Sequence, residues 1–250
     1  MPAAARKVAA FVLESLLPAD CLLCHGWLPW RQEGGVCPDC WERLAWSPGS
    51  RRPRRGPLAA VAWAADHGGD LRHLVHLLKF ERFDPIGIPL GRAAARRLPR
   101  QVACRGNAPS DGTGHDGAAH DGADGGRLPP IVVPVPLHWT RRWRRGYNPA
   151  ALLAHGVARE LALPILPRAL VRRRRGRHQV GLGRRDRLAA LTGVFAARPS
   201  AARHLRGRSI LLVDDVVTTG ATMEACATAL RTAGASHVTA FALTRTPKRK

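Results

Sequence analysis

The chain contains 250 residues with a formal net charge of +22, and 45% of its residues are hydrophobic, which is enough to build a globular core. No stretch is long and apolar enough to span a membrane, and the positive charge favours polyanionic partners: nucleic acid, phosphorylated substrates or an anionic membrane surface. Because nearly all the cations are Arg while Ala, Gly and Pro are abundant, the charge also fits a GC-rich genome and does not by itself establish DNA binding.

The first predicted element is a short amphipathic helix over Ala3–Leu17. Val8, Phe11 and Leu16 share one face of this helix. A signal peptide is disfavoured because Glu14 interrupts the apolar run and no small-residue cleavage site follows. Attachment to a membrane surface is the less favoured alternative. We therefore expect a helix that packs on the rest of the protein, and a cytoplasmic location.

Two C-x₂-C pairs follow, formed by Cys21, Cys24, Cys37 and Cys40. Thiolates at this spacing can converge tetrahedrally on one Zn²⁺, and four sulfur ligands leave no open position for water or substrate. We therefore predict a structural zinc site. Two disulfides or unrelated thiols are the alternatives, and disulfides fit poorly with a cytoplasmic protein.

Residues 1–57 are predicted to hold the N-terminal helix and this zinc module. A module this small cannot bury enough surface to fold alone, so metal binding would supply folding free energy. Trp27, Trp30 and Trp41 are expected to form a small core around the metal. Arg51–Pro57 is a basic, proline-containing connector to the next domain.

Residues 58–250 are predicted to form the main domain, which begins with two helices. Apolar residues at helical spacing predict the first over Leu71–Phe80, with His73 and His76 on its polar face, and the second covers Ile88–Leu98. Residues 101–127 are rich in Gly, Asp and His and have almost no large apolar side chains. This segment is predicted to be a disordered insertion.

A buried strand over Ile131–Val135 leads into the first of two arginine-rich segments. That segment, Trp139–Asn148, includes Arg141 and Arg145, and the second, Val171–Val180, contains four consecutive arginines. Positive donors of this kind suit a pyrophosphate leaving group, and the second segment is suited to close over a bound anion.

Two other interpretations of these basic segments remain open. They could form a solvated basic face. They could also bind single-stranded nucleic acid, with Trp139, Trp143 and Tyr147 stacking on bases. The sequence leaves the phosphate-binding and nucleic-acid-binding interpretations close to each other.

The most specific pattern is an apolar strand, Ile210–Val213, followed by an acidic pair and a helix over Met223–Thr232. A helix N-terminus attracts phosphate, and a few ångströms away Asp214 and Asp215 can accept hydrogen bonds from ribose hydroxyls or lie near Mg²⁺. An ordinary capped strand-to-helix turn is the weaker alternative. The predicted phosphate-binding residues are Thr218, Thr219, Gly220, Ala221 and Thr222.

This segment closely resembles the signature of the type I phosphoribosyltransferases that binds phosphoribosyl pyrophosphate (PRPP). The resemblance implies that Asp214 and Asp215 contact the ribose 2′- and 3′-hydroxyls and that residues 216–222 hold the 5′-phosphate. It also implies Mg²⁺ bound together with PRPP.

The order of motifs along the chain is similar to that of the ComF family. The motifs are the four-cysteine module, residues 77–80, 134–138, 145–148 and 178–179, and the PRPP signature. The resemblance implies a phosphoribosyltransferase-like fold and a link to competence for DNA uptake. It also assigns His138, Arg141, Arg145 and Gln179 to the loops that contact pyrophosphate or substrate. Pro149 departs from the Gln that the family usually has there.

We therefore expect an α/β protein with a mainly parallel sheet flanked by helices, and with strands that include Ile131–Val135, Ile210–Val213 and Val238–Leu243. The first functional hypothesis is an enzyme that transfers the phosphoribosyl group of PRPP to an acceptor. The second is a non-catalytic protein that binds single-stranded DNA, works with the DNA-uptake machinery and keeps the nucleotide pocket as a scaffold or sensor.

Overall fold

A computed structural model of the chain describes residues 20–28, 33–53, 56–81, 83–99, 102, 128–137, 145–173, 191 and 193–247. The helix predicted over Ala3–Leu17 lies outside these residues, as does nearly all of the insertion predicted at residues 101–127. Within the described part of the chain, no helix combines the length and apolar character that crossing a bilayer requires.

The core of the protein is a five-stranded sheet with an additional two-stranded sheet beside it. The strands are β1 Gly49–Arg51, β2 Ala60–Asp66, β3 Ile131–Pro134, β4 Leu170–Arg172, β5 Phe195–Ala197, β6 Ser209–Val217 and β7 His237–Arg245. The large sheet has the order β1-β2-β7-β6-β3, in which β1 is antiparallel to β2 and all other neighbours are parallel. Strands β4 and β5 form the small antiparallel sheet. The predicted mainly parallel sheet is confirmed.

Helices cover both faces of the large sheet. The helices are α1 Pro38–Arg43, α2 Gly69–Phe80, α3 Gly87–Ala95, α4 Pro149–Glu160, α5 Pro199–Leu205 and α6 Ala221–Thr232. Helices α2, α3 and α4 contribute to the core on one face, and α5 and α6 to the core on the other. This double cover explains why the strands are continuous apolar runs rather than alternating ones.

Strand β6 shows how the two cores share one strand. Leu211 and Val213 belong to the core under α2–α4, whereas Ile210 and Leu212 belong to the core under α5 and α6. The strand is longer than predicted, because pairing with β7 continues to Val217. The acidic pair therefore lies on the strand itself and not after it.

The three predicted helices that lie within the described residues are present, with small shifts of their ends. In α2 the predicted apolar positions are buried, and His73 and His76 are exposed as expected. Helix α3 begins at Gly87 and ends at Ala95. It approaches α4 closely: a Cβ on Gly91 would lie 2.3 Å from the carbonyl oxygen of Leu153, so only glycine fits there.

The cysteine-containing segment packs on the main core. Cys21, Leu28 and Val36 belong to the same buried cluster as α2–α4, and β1 pairs with β2. The expected tryptophan core is wrong for Trp27, which is 69% exposed, because this segment buries aliphatic side chains against the main core instead. The domain boundary at residue 57 stays a prediction.

Candidate functional site

The two predicted ribose acids lie near the carboxyl ends of the parallel strands, where ligands of α/β proteins bind. Asp214 and Asp215 are half-buried residues of β6 that line a cavity of about 230 Å³. This volume is just below the ~300–1,000 Å³ of typical small-molecule sites, so the cavity suits a ligand the size of a sugar phosphate. The remaining lining residues are Lys79, Phe80, Val135, Pro136, Leu137, Arg145, Asn148, Pro149, Arg172 and Thr222.

The two acids have different partners. Lys79 Nζ on α2 lies 2.8 Å from Asp215 Oδ1, and the two side chains are only 20% and 15% exposed. Asp214 Oδ1 instead accepts a hydrogen bond of 2.9 Å from the backbone N–H of Asp215. One acid is thus held by a cation and the other by a backbone amide.

This difference separates the protonation states of the pair. Burial raises the pKa of Asp214 from 3.8 to about 8, and the neighbouring Asp215 carboxylate adds to the rise. Near pH 7 Asp214 is therefore mostly protonated and can donate as well as accept a hydrogen bond. Among the described residues the cavity then presents three cations, Lys79, Arg145 and Arg172, beside the Asp215 side chain, which favours an anionic ligand.

The raised pKa of Asp214 predicts a pH-dependent stability. The folded-state pKa of Asp214 lies above its unfolded-state value. The contribution of this carboxyl group to the free energy of unfolding is therefore complete below about pH 4 and is lost as the pH rises through about 8. We expect Asp214→Asn to gain stability relative to the unmodified protein between about pH 5 and about pH 9. Urea unfolding across this range measures the difference, and parallel pH profiles would contradict it.

The predicted phosphate loop joins β6 to α6. Gly220 is the N-cap of α6, with φ 87°, and its carbonyl accepts the N–H of Glu224 at 2.9 Å. The Thr219 hydroxyl oxygen accepts the N–H of Ala221 at 3.4 Å, and Thr222 lines the cavity. The loop therefore places the positive end of a helix beside the acidic pair.

Arg51 of β1, which is far from this loop in the sequence, supports it. Its Nη2 donates a hydrogen bond of 3.0 Å to the carbonyl oxygen of Thr219. A Cβ added to Gly220 would lie 2.8 Å from the same Nη2 atom. The absence of a side chain at Gly220 thus permits both its left-handed backbone and the approach of Arg51.

Replacing Gly220 by alanine is expected to disturb the loop. A left-handed conformation costs a residue other than glycine roughly 1–2 kcal/mol, and the new Cβ would displace Arg51. Gly207→Ala is the matched control, because Gly207 also has a positive φ, 69°, but has open space around its Cβ position. Both variants should lose stability in urea unfolding. Only Gly220→Ala should weaken phosphate binding in calorimetry, and equal binding by the two variants would contradict this.

Of the four residues predicted to contact pyrophosphate or substrate, Arg145 is the one within the described part of the chain. It lines the cavity, and its guanidinium carbon lies 5.0 Å from the ring centroid of Phe80. Phe80 is 61% exposed, so an aromatic face and a cation stand together at the cavity. The other three, His138, Arg141 and Gln179, lie outside the described residues.

The motif at residues 145–148 anchors the cavity wall. The Tyr147 hydroxyl donates to the carbonyl oxygen of Leu78 at 2.7 Å, and Asn148 Nδ2 donates to that of Val135 at 3.0 Å. These bonds tie the start of α4 to α2 and to the end of β3. Tyr147 is also packed against the core, which disfavours the predicted stacking on bases. Trp139 and Trp143 lie outside the described residues.

The four predicted metal ligands lie together. The Sγ atoms of Cys21, Cys24, Cys37 and Cys40 are all within 4.8 Å of one another, and those of Cys24 and Cys37 are 3.8 Å apart. A tetrahedral site with metal–sulfur bonds of about 2.3 Å has sulfur–sulfur edges of about 3.8 Å. All four thiols are free and not joined in disulfides. The cluster therefore fits a metal such as zinc.

Local structure orients these thiols. Cys37 is the N-cap of α1, and Pro38 at the first position sets the backbone of the turn that carries Cys40. The N–H of Cys37 donates to Cys21 Sγ at 3.4 Å, and Arg43 Nη2 donates to Cys40 Sγ at 3.3 Å. Donors around the sulfur atoms stabilise thiolates, which is the form that binds a metal.

Sequence reasoning missed the contacts of three residues. Lys79 was part of a motif but was not linked to Asp215, and Arg51 was interpreted as part of a connector. Arg172 was predicted only as part of the segment suited to close over a bound anion, and the structure places it at the cavity. For Lys79 a signal existed: it is the one lysine between residues 8 and 247 of an arginine-rich chain. For Arg51 the sequence held no signal, because it lies in a basic run that was interpreted as a connector, and for Arg172 the signal was the second arginine-rich segment as a whole.

Comparison with known proteins shows the family to which this chain belongs. The model of the phosphoribosyl transferase domain matches residues 148–250. Competence protein F of Haemophilus influenzae is 37% identical over 119 residues, which cover 48% of this chain and 52%, about half, of that protein. The DNA utilization protein YhgH of Escherichia coli strain K12 is 30% identical over 190 residues, 76% of this chain and 74% of that protein.

The YhgH protein of Salmonella typhimurium extends the match to 219 residues at 30% identity, covering 86% of each chain. The match to the phosphoribosyl transferase domain is consistent with the mainly parallel sheet and includes the acidic strand-to-helix segment described above. The chain therefore belongs to the ComF family of phosphoribosyltransferase-like proteins.

Proposed function

We propose that the protein binds PRPP, or another ribose 5-phosphate compound, in the cavity at Asp214 and Asp215 and transfers the phosphoribosyl group to an acceptor. The observation that carries this proposal is that the acidic pair, the start of α6 and three cations line one cavity. The acids suit ribose hydroxyls, whereas the helix start and the cations suit phosphate groups. A cytoplasmic location is part of the same proposal.

The proposed chemistry is a displacement at C1 of the ribose. An acceptor atom forms a bond to C1 while the bond from C1 to the pyrophosphate oxygen breaks, and its electron pair leaves with pyrophosphate. Asp214 and Asp215 hold the ribose hydroxyls, residues 218–222 hold the 5′-phosphate, and Arg145 faces the leaving group. Mg²⁺ bound with PRPP would neutralise charge on the pyrophosphate.

Two measurements on the full chain test this function. Calorimetry with magnesium should detect binding of PRPP and ribose 5-phosphate, and much weaker binding of ribose, which lacks the phosphate. Release of pyrophosphate from PRPP should then depend on one member of a panel of acceptors. No heat with either phosphorylated ligand would reject the binding site, and binding without pyrophosphate release with any acceptor would reject the transferase.

We also propose that the four-cysteine cluster holds a structural zinc ion. Four thiolates complete a tetrahedral shell, so no position remains for a catalytic water. Because Cys21 and Cys40 are buried in the core shared with α2–α4, the metal would fix this segment against the main sheet.

A second proposed function, binding of single-stranded DNA, is favoured by a separate cavity. This cavity of about 330 Å³ lies between the cysteine-containing segment and α3, and none of the described residues lines both cavities. Its walls are rich in aromatic and cationic side chains: Trp41, Glu42, Trp46, Pro89, Arg92, Ala93, Arg96 and Arg97. Tryptophan rings beside arginines are the combination that single-strand binding proteins use.

The contacts of this cavity show which groups a nucleotide would meet. Arg97 lies over the Trp46 ring, with its guanidinium carbon 4.1 Å from the centroid. Trp46 Nε1 is buried and has no hydrogen-bond acceptor among the described residues. Arg92 and Arg96 form ion pairs with Glu160, with distances of 3.2 and 2.7 Å from their Nε atoms to its carboxylate oxygens. Trp46 and Arg97 are therefore the residues that we expect a base and a phosphate to contact.

A labelled oligothymidine tests the second function. We expect salt-sensitive binding that Arg97→Gln and Trp46→Leu each weaken about tenfold, the cost of one lost stacking or charge contact. Arg203→Gln, an exposed arginine of α5, is the matched charge control. Asp215→Asn should leave this binding unchanged. Equal affinities for the Arg97, Trp46 and Arg203 variants would reject this cavity as the DNA site.

A further inference from the structure

Lys79 stands apart from the other cations of the chain. The sequence has 40 Lys and Arg residues, and its other three lysines, Lys7, Lys248 and Lys250, are near the ends. A lysine carries a compact point charge with three donors, whereas arginine spreads its charge over a planar fork. A lysine in the middle of an arginine-rich chain is therefore suited to a place where a small, concentrated positive charge is needed.

The position of Lys79 provides that charge beside the acidic pair. It is the next-to-last residue of α2, where the carbonyl end of the helix favours a cation. Its Nζ is 2.8 Å from Asp215 Oδ1, and the partial burial of both side chains limits screening by water. No other described acid forms an ion pair with Lys79.

The remaining oxygens of the pair are placed for a sugar. Lys79 forms an ion pair with Oδ1 of Asp215, and the N–H of Asp215 donates a hydrogen bond to Oδ1 of Asp214. Among the contacts of the described residues, the second oxygen of each carboxyl group has no partner and is available to a ribose hydroxyl. The Asp215 carboxylate would otherwise repel the phosphate of the ligand unless a divalent cation lay beside it, and the Lys79 ammonium group already supplies a positive charge there.

We propose that Lys79 is a positioning residue that takes the place of a divalent cation beside Asp214 and Asp215, so that the ribose 5-phosphate part of the ligand binds without Mg²⁺. The inference rests on the proposed phosphoribosyl site. A divalent cation is then needed only for the pyrophosphate part of PRPP, which carries the additional negative charge.

Calorimetry of the full-length protein with ribose 5-phosphate and with PRPP tests this proposal. Each titration is done with millimolar Mg²⁺ and in buffer freed of divalent cations by a resin, because a soluble chelator would also attack the cysteine cluster. For the unmodified protein we expect ribose 5-phosphate to bind equally in both buffers and PRPP to bind more tightly with Mg²⁺. This comparison needs no variant.

The variants give the second half of the test. Lys79→Met should bind ribose 5-phosphate at least about tenfold more weakly in the metal-free buffer and recover most of this loss when Mg²⁺ is added. Lys79→Arg, which keeps a positive charge but spreads it over a planar group, should lose less affinity than Lys79→Met in the metal-free buffer. A purely structural role for Lys79 would not produce rescue by magnesium.

The outcomes separate this inference from the function on which it rests. If the unmodified protein binds neither ligand in either buffer, the phosphoribosyl site itself is rejected. If it binds ribose 5-phosphate only with Mg²⁺, the role of Lys79 is rejected while the site stands. Lys79→Met that binds like the unmodified protein, or that is equally weak in both buffers, also rejects the role of Lys79.

Discussion

Replacing Asp215 by asparagine is expected to weaken the binding of PRPP and of ribose 5-phosphate by about 10- to 100-fold, the loss of one or two charge-assisted hydrogen bonds. Asparagine keeps the size of the side chain but removes the charge that pairs with Lys79 at 2.8 Å. The ammonium group is then left without its partner in a partly buried place, so a modest loss of stability should accompany the loss of affinity.

Asp66→Asn is the matched control for this experiment. Asp66 ends β2 and pairs with Arg245 at 2.8 Å, so it is also an acid in an ion pair at the carboxyl end of a strand. It does not line the cavity with Asp214 and Asp215. Calorimetry should show unchanged affinity for Asp66→Asn, and thermal unfolding should show that both variants fold. Asp215→Asn that binds ribose 5-phosphate as tightly as Asp66→Asn would remove the acidic pair from the site.

Removing the metal from the cysteine cluster is expected to have the largest effect on stability. Structural zinc contributes an apparent ~10–16 kcal/mol in isolated zinc modules, and part of this should appear here as a lower unfolding temperature after treatment with a chelator. Cys21→Ser should bind less than one equivalent of zinc, because the buried Cys21 sulfur is one of four convergent ligands. Elemental analysis and thermal unfolding measure the two effects.

Cys226→Ser separates metal loss from the cost of a buried hydroxyl. Cys226 is as buried as Cys21, but it lies in α6 among Met223, Ala227 and Leu230, away from the cluster. Burial raises the pKa of its thiol well above the ordinary value, as expected of a packing residue. This variant should lose some stability and keep its full zinc content. Equal zinc contents for the two variants would contradict the proposed metal site.

Patterns within short segments were sufficient to predict several features of this protein. The apolar runs predicted three strands of the main sheet, because a strand covered on both faces needs apolar residues at every position. The apolar spacing of α2 predicted its buried face, and the two C-x₂-C pairs predicted a thiol cluster, since each pair converges through its own tight turn. The order of strand, acids, glycine and helix identified the candidate site.

Other features depend on residues that are far apart in the sequence. Strand β6 extends through the acids only because β7 pairs with it that far. Strand β2 and helix α4 were not predicted individually; β2 is rich in alanine, which is depleted in strands. The expected tryptophan core is wrong for Trp27, because the cysteine-containing segment packs its buried side chains against the main core and leaves Trp27 exposed.

The amino-acid sequence by itself predicted the family from the order of its motifs, and it predicted the mainly parallel sheet, the candidate phosphate loop and the thiol cluster from side chains within short segments. Only the tertiary structure decided the electrostatics of the candidate site. It brings Lys79 to Asp215 and Arg51 to Thr219, two contacts between residues more than a hundred positions apart. Burial and neighbouring charges then set the protonation of Asp214, and these depend on how the whole chain is packed.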